Sequence, residues 1–140
     1  MYCLQAVLVT EPARGELLAS VEGARLVPLG HHLSLMPLTE ALSDDGEFRT
    51  VLVACSEHGA VAYVEAEYFG GVGTQSAQVW DRGETVLGPL HLAEDEQAPA
   101  AGSPISQALR RLGVAKGDHF DEFDAVGLGR HRHTGGWLPS

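Results

Sequence analysis

The sequence is poor in cysteine, in basic residues and in long apolar runs. Of its 140 residues, two are cysteine and nine are lysine or arginine, against 19 aspartate and glutamate. The resulting formal charge of −10 repels phosphate backbones and anionic lipid, so it argues against nucleic acid and membrane partners and favours a cationic protein partner. The first apolar run has no basic residues before it and stops at Thr10, too short for a signal peptide or a membrane span. We therefore expect a cytoplasmic protein.

Several motifs of well-known enzymes are also missing. The sequence contains no G-x-S-x-G, no H-E-x-x-H and no Gly-Lys-Ser/Thr. Its two cysteines, Cys3 and Cys55, lie in apolar stretches and form no C-x-x-C, which is typical of buried thiols in a reducing compartment. These absences favour a non-catalytic protein.

What the sequence does contain is enough apolar residues for one hydrophobic core. Hydrophobic residues make up 44% of the chain, which predicts a single domain over residues 1–140. Apolar runs and alternation predict extended segments at 2–9, 25–28, 33–38, 60–69, 74–81 and 84–92. Helical spacing with suitable end signals is predicted from Thr10 to Gly23, at 48–55 and at 103–113.

These elements predict an α+β fold, with a mainly antiparallel sheet of five or six strands and two or three helices packed on one face. The clearest local signal is Ser103 followed by Pro104 and closed by Gly113, the pattern of a capped amphipathic helix with a Schellman-type end. Residues 93–103 are predicted to be an exposed acidic loop. Residues 115–140 are predicted to be mostly irregular, apart from a helical turn around Phe120 and Phe123.

The middle strands offer a first candidate binding site. Glu65 and Glu67 alternate to one side of their strand, which predicts either an outward-facing sheet surface or, if this side is covered, a polar pocket. The glycines of FGGVGT do not fit the dinucleotide-binding pattern, because G-x-G-x-x-G fails at Ser76 and no room remains for the required helix. They favour a turn or bulge whose bare backbone lets a ligand approach. The expected binding residues here are Glu65, Glu67, Gly71, Gly73 and Gln75.

The C-terminal stretch DEFDAVGLGRHRH offers a second candidate. His131 and His133 would project to the same side of a strand, a spacing at which two imidazoles can share Zn²⁺ or Fe²⁺. The favoured interpretation is that these histidines and the neighbouring arginines pair with the acids around Asp121 and Asp124, and that Glu122 lies on a solvated acidic face. Binding residues Asp121 and Asp124, and a metal pair at His131 and His133, are therefore separate hypotheses. No cofactor is expected under the favoured one.

Three segments of the chain resemble a family of small actinobacterial hypothetical proteins. The segments are YVEAEYFGGVGTQSAQVW, PISQALRRLGV and DEFDAVGLGRHRHTGGW. The resemblance covers the second half of the chain, and it implies no activity, because none is known for that group. Small acidic immunity proteins are similar only in size, charge and sheet-plus-helix organisation, without a match of individual residues.

Three functions follow as hypotheses. The leading one is a non-catalytic, cytoplasmic protein-binding module, immunity-like in neutralising a basic partner and able to form a homodimer. The first alternative is a metal-dependent hydrolase or oxygenase that uses the C-terminal histidines and an aspartate. The second is a small-molecule carrier or sensor with its pocket at the Gly70–Gly73 turn.

Overall fold

The computed structural model describes residues 2–20, 25–29, 32–38, 46–69, 72–93, 100, 102–115, 117–118, 122–128 and 134–137. Its strands are β1 (Tyr2–Thr10), β2 (Val27–Pro28), β3 (Leu33–Pro37), β4 (Val61–Phe69), β5 (Val72–Asp81) and β6 (Glu84–Leu92). Its helices are α1 (Glu11–Ser20), α2 (Gly46–Cys55), α3 (Pro104–Arg111), α4 (Glu122–Ala125) and a 3₁₀ helix at Thr134–Trp137.

The strands form one antiparallel sheet in the order β2-β3-β1-β4-β5-β6. The predicted α+β class and six-stranded antiparallel sheet are confirmed. β1 is central because its apolar run supplies apolar side chains to both sides of the sheet. The two proline-containing extended segments pair as β2 and β3, with Pro28 on the edge strand and Pro37 at a strand end.

The helices divide between the two faces of the sheet, which corrects the expectation that they share one face. On the front face, Val7 and Val9 of β1 pack with α1 and α2 in one apolar cluster. On the back face, Leu4 and Leu8 pack with α3 and Trp137 in another. The two faces belong to alternate residues of β1, and each is apolar, so each needs its own cover.

Helix α3 ends as its sequence predicts. The Ser103 side chain accepts a hydrogen bond from the amide of Ser106 at 3.3 Å, and Pro104 opens the helix. Gly113 has a φ of +97°, and the amide of Val114 donates to the Leu109 carbonyl at 3.0 Å. These bonds form the Schellman motif, which satisfies carbonyls at the helix end.

Helices α1 and α2 follow their apolar spacing with one exception. In α2, the apolar positions at helical spacing are Phe48, Leu52 and Cys55, which are buried, and Val51, which is half-buried. In α1, Leu17 is buried but Leu18 is 44% exposed. The face of α1 that packs on the sheet is therefore narrower than the positions of its leucines predict. Within the described residues, no helix has the length and apolar character needed to cross a membrane. Most of the predicted acidic loop at 93–103 lies outside the described residues.

Candidate functional site

A row of polar side chains crosses the front face beyond the part that α1 and α2 cover. The strand register places Gln5 of β1 opposite Glu65 of β4, Glu65 opposite Ser76 of β5, and Ser76 opposite His91 of β6. Directly paired residues of antiparallel strands lie side by side on one face. The four side chains are therefore neighbours in space although they come from four separate strands.

A groove lies between this row of side chains and helix α2. We call the cavity the front groove; its volume is about 360 Å³. Arg49 of α2 lies on one side of it, and β6 lies on the other. The groove is lined by Arg49, Tyr63, Glu65, Ser76, Ala77, Gln78, Pro89, Leu90 and His91.

The carboxylate of Glu65 is the acidic group of this groove. Its Oε1 accepts hydrogen bonds from the hydroxyl of Tyr63 and, at 3.4 Å, from the side-chain amide of Gln5. Both donors are neutral, and in the part of the chain that the structure describes no basic side chain forms an ion pair with Glu65. The half-buried carboxylate is thus oriented by neutral donors, and no ion pair within the described ranges neutralises its charge.

Two further contacts organise the groove. The guanidinium carbon of Arg49 stands 6.0 Å from the centre of the Tyr63 ring, within cation–π distance. The hydroxyl of Ser76 is hydrogen-bonded to Nδ1 of His91 at 2.8 Å. No carboxylate among the described residues orients the other ring nitrogen of His91, as an activated serine–histidine pair requires.

Two of the predicted site residues of the middle strands, Glu65 and Gln75, lie on opposite faces of the sheet. Glu65 and the exposed Glu67 lie on the front face, whereas Gln75 pairs with Ala66 on the back face and is buried. There its carbonyl accepts a hydrogen bond from the amide of Ile105 at 3.0 Å, and its amide donates to the Tyr68 hydroxyl. Glu65 and Gln75 therefore do not line one pocket together, in contrast to the expectation from the sequence. Gln75 instead joins β5 to the first turn of α3.

Close packing within the sheet explains why residue 73 is a glycine. A Cβ atom at this position would lie 2.0 Å from the carbonyl oxygen of Glu67 on the paired strand. The glycine allows close approach within the β4–β5 hairpin, so its presence does not depend on a ligand. Gly71 lies outside the described residues.

The C-terminal candidates are described only in part. Asp124 is exposed on α4, while Asp121, His131 and His133 lie outside the described residues. Within the described ranges, no group of three or more histidine, cysteine, aspartate or glutamate side chains is placed to hold a metal ion.

Glu122 departs from its expected place on a solvated face. It is 8% exposed, and its Oε1 lies 3.6 Å from Nε of Arg110 on α3. This ion pair and the burial of Val126 fix α4 against α3, so the predicted helical turn around Phe123 is confirmed but its acidic face is partly buried.

The two thiols are unpaired, as expected, but differ in burial. Cys55 is fully buried in the front cluster, and this burial raises the pKa of its thiol, which makes it a poor nucleophile. Cys3 is half-buried rather than buried, and it pairs across the sheet with Glu67. Desolvation first, and then the negative charges of Glu67 and Glu65, raise the pKa of the Cys3 thiol.

Sequence reasoning missed the residues that complete the front groove. Arg49, Tyr63 and His91 come from three different elements, and no local spacing relates them. Strand register brings Ser76 and His91 together. The β5–β6 pairing shifts its register twice, between Trp80 and Val79 and between Val79 and Ala77. Counting outward from the Asp81–Gly83 turn would therefore not have found the pair.

No protein-family model, no curated protein and no solved structure matches the chain.

Proposed function

We propose that this chain is a non-catalytic, cytoplasmic binding protein whose partner is a basic protein, and that the partner places a basic side chain in the front groove against Glu65. The proposal is based on the hydrogen bonds and ion pairs available to the Glu65 carboxylate. This carboxylate is oriented by Tyr63 and Gln5, both neutral, and among the described residues no basic side chain forms an ion pair with it. A lysine or arginine that enters the groove would form a charge-assisted hydrogen bond with it.

The charge of the whole chain supports the same partner class. The formal charge of −10 creates a field that accelerates encounter with a cationic surface. Glu67, exposed on the same face two residues further along β4, extends the acidic surface beyond the groove. A basic toxin neutralised in an immunity-like manner would be one such partner. The unpaired thiols of Cys3 and Cys55 support the cytoplasmic location.

A small cationic molecule is the second candidate occupant. A groove of about 360 Å³ is within the size range of small-molecule sites. The protein would then be a small-molecule carrier, as one of the hypotheses from the sequence states. Its pocket would lie where α2 meets β4, β5 and β6 instead of at the glycine turn.

The test compares two variants that remove the same charge from different places. Titration calorimetry measures binding of the peptide acetyl-GRGRG-amide to the native protein, to Glu65→Gln and to Glu84→Gln. Glu84 is exposed at the start of β6 and does not line the groove. We expect Glu65→Gln to weaken binding about tenfold, since a hydrogen bond to a charged group is lost, and Glu84→Gln to leave it nearly unchanged.

Equal losses in the two variants would show that the peptide responds only to the net charge, and the proposal would then be wrong. The acidic peptide acetyl-GEGEG-amide serves as the ligand control and should not bind.

A further inference from the structure

We propose that the front groove recognises the carboxyl-terminal residue of a chain that ends in arginine or lysine, with the side chain on Glu65 and the terminal carboxylate on Arg49. This inference rests on the proposed function and names its ligand more narrowly. It is based on the observation that Arg49 and Glu65 line the same groove but do not form an ion pair with each other.

Arg49 is the anion-binding half of the arrangement. Its side chain is exposed on α2, and within the described residues no carboxylate forms an ion pair with it. The guanidinium rests over the Tyr63 ring at 6.0 Å, and this contact holds the charge at the groove. The remaining N–H groups of a guanidinium can bind a carboxylate through two parallel hydrogen bonds.

Tyr63 sets the distance between the two charges. Its hydroxyl donates to Glu65, while its ring lies under Arg49, so one tyrosine side chain separates the carboxylate from the guanidinium. A terminal lysine or arginine residue likewise carries a positive charge at the end of its side chain and a negative charge on its own carboxylate. One terminal residue therefore offers a partner for each group.

The other lining residues favour a chain end over a free amino acid. Among the described residues that line the groove Glu65 is the one carboxylate, so a second positive charge from a free α-amino group would find no anionic partner among them. In a peptide this nitrogen is part of an amide. Ser76, Gln78 and His91 offer hydroxyl, amide and imidazole groups that can bind that amide.

The test uses two peptides that differ only at the terminus, acetyl-GSGR with a free carboxylate and the same peptide as a carboxamide. The amide lacks the negative charge of the carboxylate, so its net charge is more positive, and the field of an acidic protein alone would favour it. We expect the opposite: the native protein should bind the free acid about threefold more tightly, since an exposed ion pair with Arg49 is gained.

Three variants locate the effect. Arg49→Gln should reverse the preference in favour of the amide, and Arg49→Lys should retain only part of the preference for the acid, because lysine lacks the two-pronged geometry. Arg14→Gln removes the same charge from the exposed surface of α1, outside the groove, and should leave the preference unchanged. Unfolding midpoints of all variants are measured alongside, so that a folding defect is recognised.

The outcomes separate this inference from the proposed function. If the native protein prefers the amide while Glu65→Gln still weakens both peptides, the chain-end inference is wrong and the proposed function stands. If Glu65→Gln weakens neither peptide, both are wrong. If free arginine binds more tightly than the acetylated peptide acid, the ligand is a small molecule and the chain-end inference is overturned.

Discussion

The hydroxyl of Tyr63 donates a hydrogen bond to the carboxylate of Glu65, two residues further along the same strand. Side chains two apart on a strand lie on the same face, and here the contact turns the glutamate toward the groove under α2. The same tyrosine supports Arg49 through its ring. One residue of the sheet therefore positions both charges of the front groove.

Replacing Tyr63 by phenylalanine tests the value of this contact. The change removes the donor but keeps the ring, so the half-buried carboxylate loses one of its two hydrogen bonds. We expect the free energy of unfolding to fall by about 1–2 kcal/mol, measured by urea denaturation. Unchanged stability would mean that water replaces the hydroxyl without cost and that Glu65 is not held in place by Tyr63.

Gln75 should be a stability residue, although its sequence context favours a binding role. Gln75→Leu preserves the approximate shape but leaves the Ile105 amide and the Tyr68 hydroxyl without their partner. We expect a loss of about 1–3 kcal/mol in the free energy of unfolding. The matched control is Gln78→Leu, where only a weak bond to Thr85 at 3.4 Å is lost, and equal losses would contradict the assignment.

Two glycine substitutions should act in opposite directions. In Gly73→Ala the new Cβ meets the Glu67 carbonyl, so the β4–β5 hairpin must shift and we expect destabilisation by about 1–3 kcal/mol. In Gly15→Ala the new Cβ meets nothing within 4 Å on helix α1, and we expect stabilisation by about 0.5–1 kcal/mol. Thermal unfolding of the two variants measures both signs. A neutral Gly73→Ala would show that the hairpin is looser than described.

Tyr2 should make the stability depend on alkaline pH. Burial, with smaller effects of Tyr68 and Cys3, raises the pKa of Tyr2 above its ordinary value of 10.0, and its hydroxyl donates to the Leu128 carbonyl at 2.8 Å. Above pH 10.0 the unfolded chain therefore loses this proton while the folded chain keeps it, so the free energy of unfolding falls as the pH rises. Below that pH the contribution of Tyr2 is fully present.

The variant Tyr2→Phe isolates this effect. Urea denaturation from about pH 8 to about pH 11 should show the native protein more stable than Tyr2→Phe at the lower pH, with the difference shrinking as the unfolded tyrosine ionises. A difference that stays constant over this range would show that Tyr2 ionises equally in both states.

Local signals account for most of the secondary structure. The end residues of α3 lie next to the groups that they satisfy, so Ser103, Pro104 and Gly113 sufficed to predict both ends of the helix. The apolar run of β1 also carried a signal that was not used. A strand that is apolar at both odd and even positions must be covered on both faces, which predicts helices on both sides of the sheet.

The separation of Glu65 from Gln75 was also contained in the sequence. A hairpin turn with an even number of residues pairs odd positions of β4 with even positions of β5, which places Gln75 opposite Ala66 rather than beside Glu65. The front groove was not predictable in this way. It depends on how α2 lies on the sheet, and this long-range packing decides that Arg49 meets Tyr63.

The central claim is that Glu65 receives the positive charge of a partner, and an NMR titration of ¹⁵N-labelled protein with acetyl-GRGRG-amide tests it most directly. We predict that backbone amide shifts concentrate at Glu65, Ser76 and His91, and that they require about tenfold more peptide in Glu65→Gln but no more in Glu84→Gln. Shifts spread evenly over acidic residues on all faces, and equal in the two variants, would contradict it.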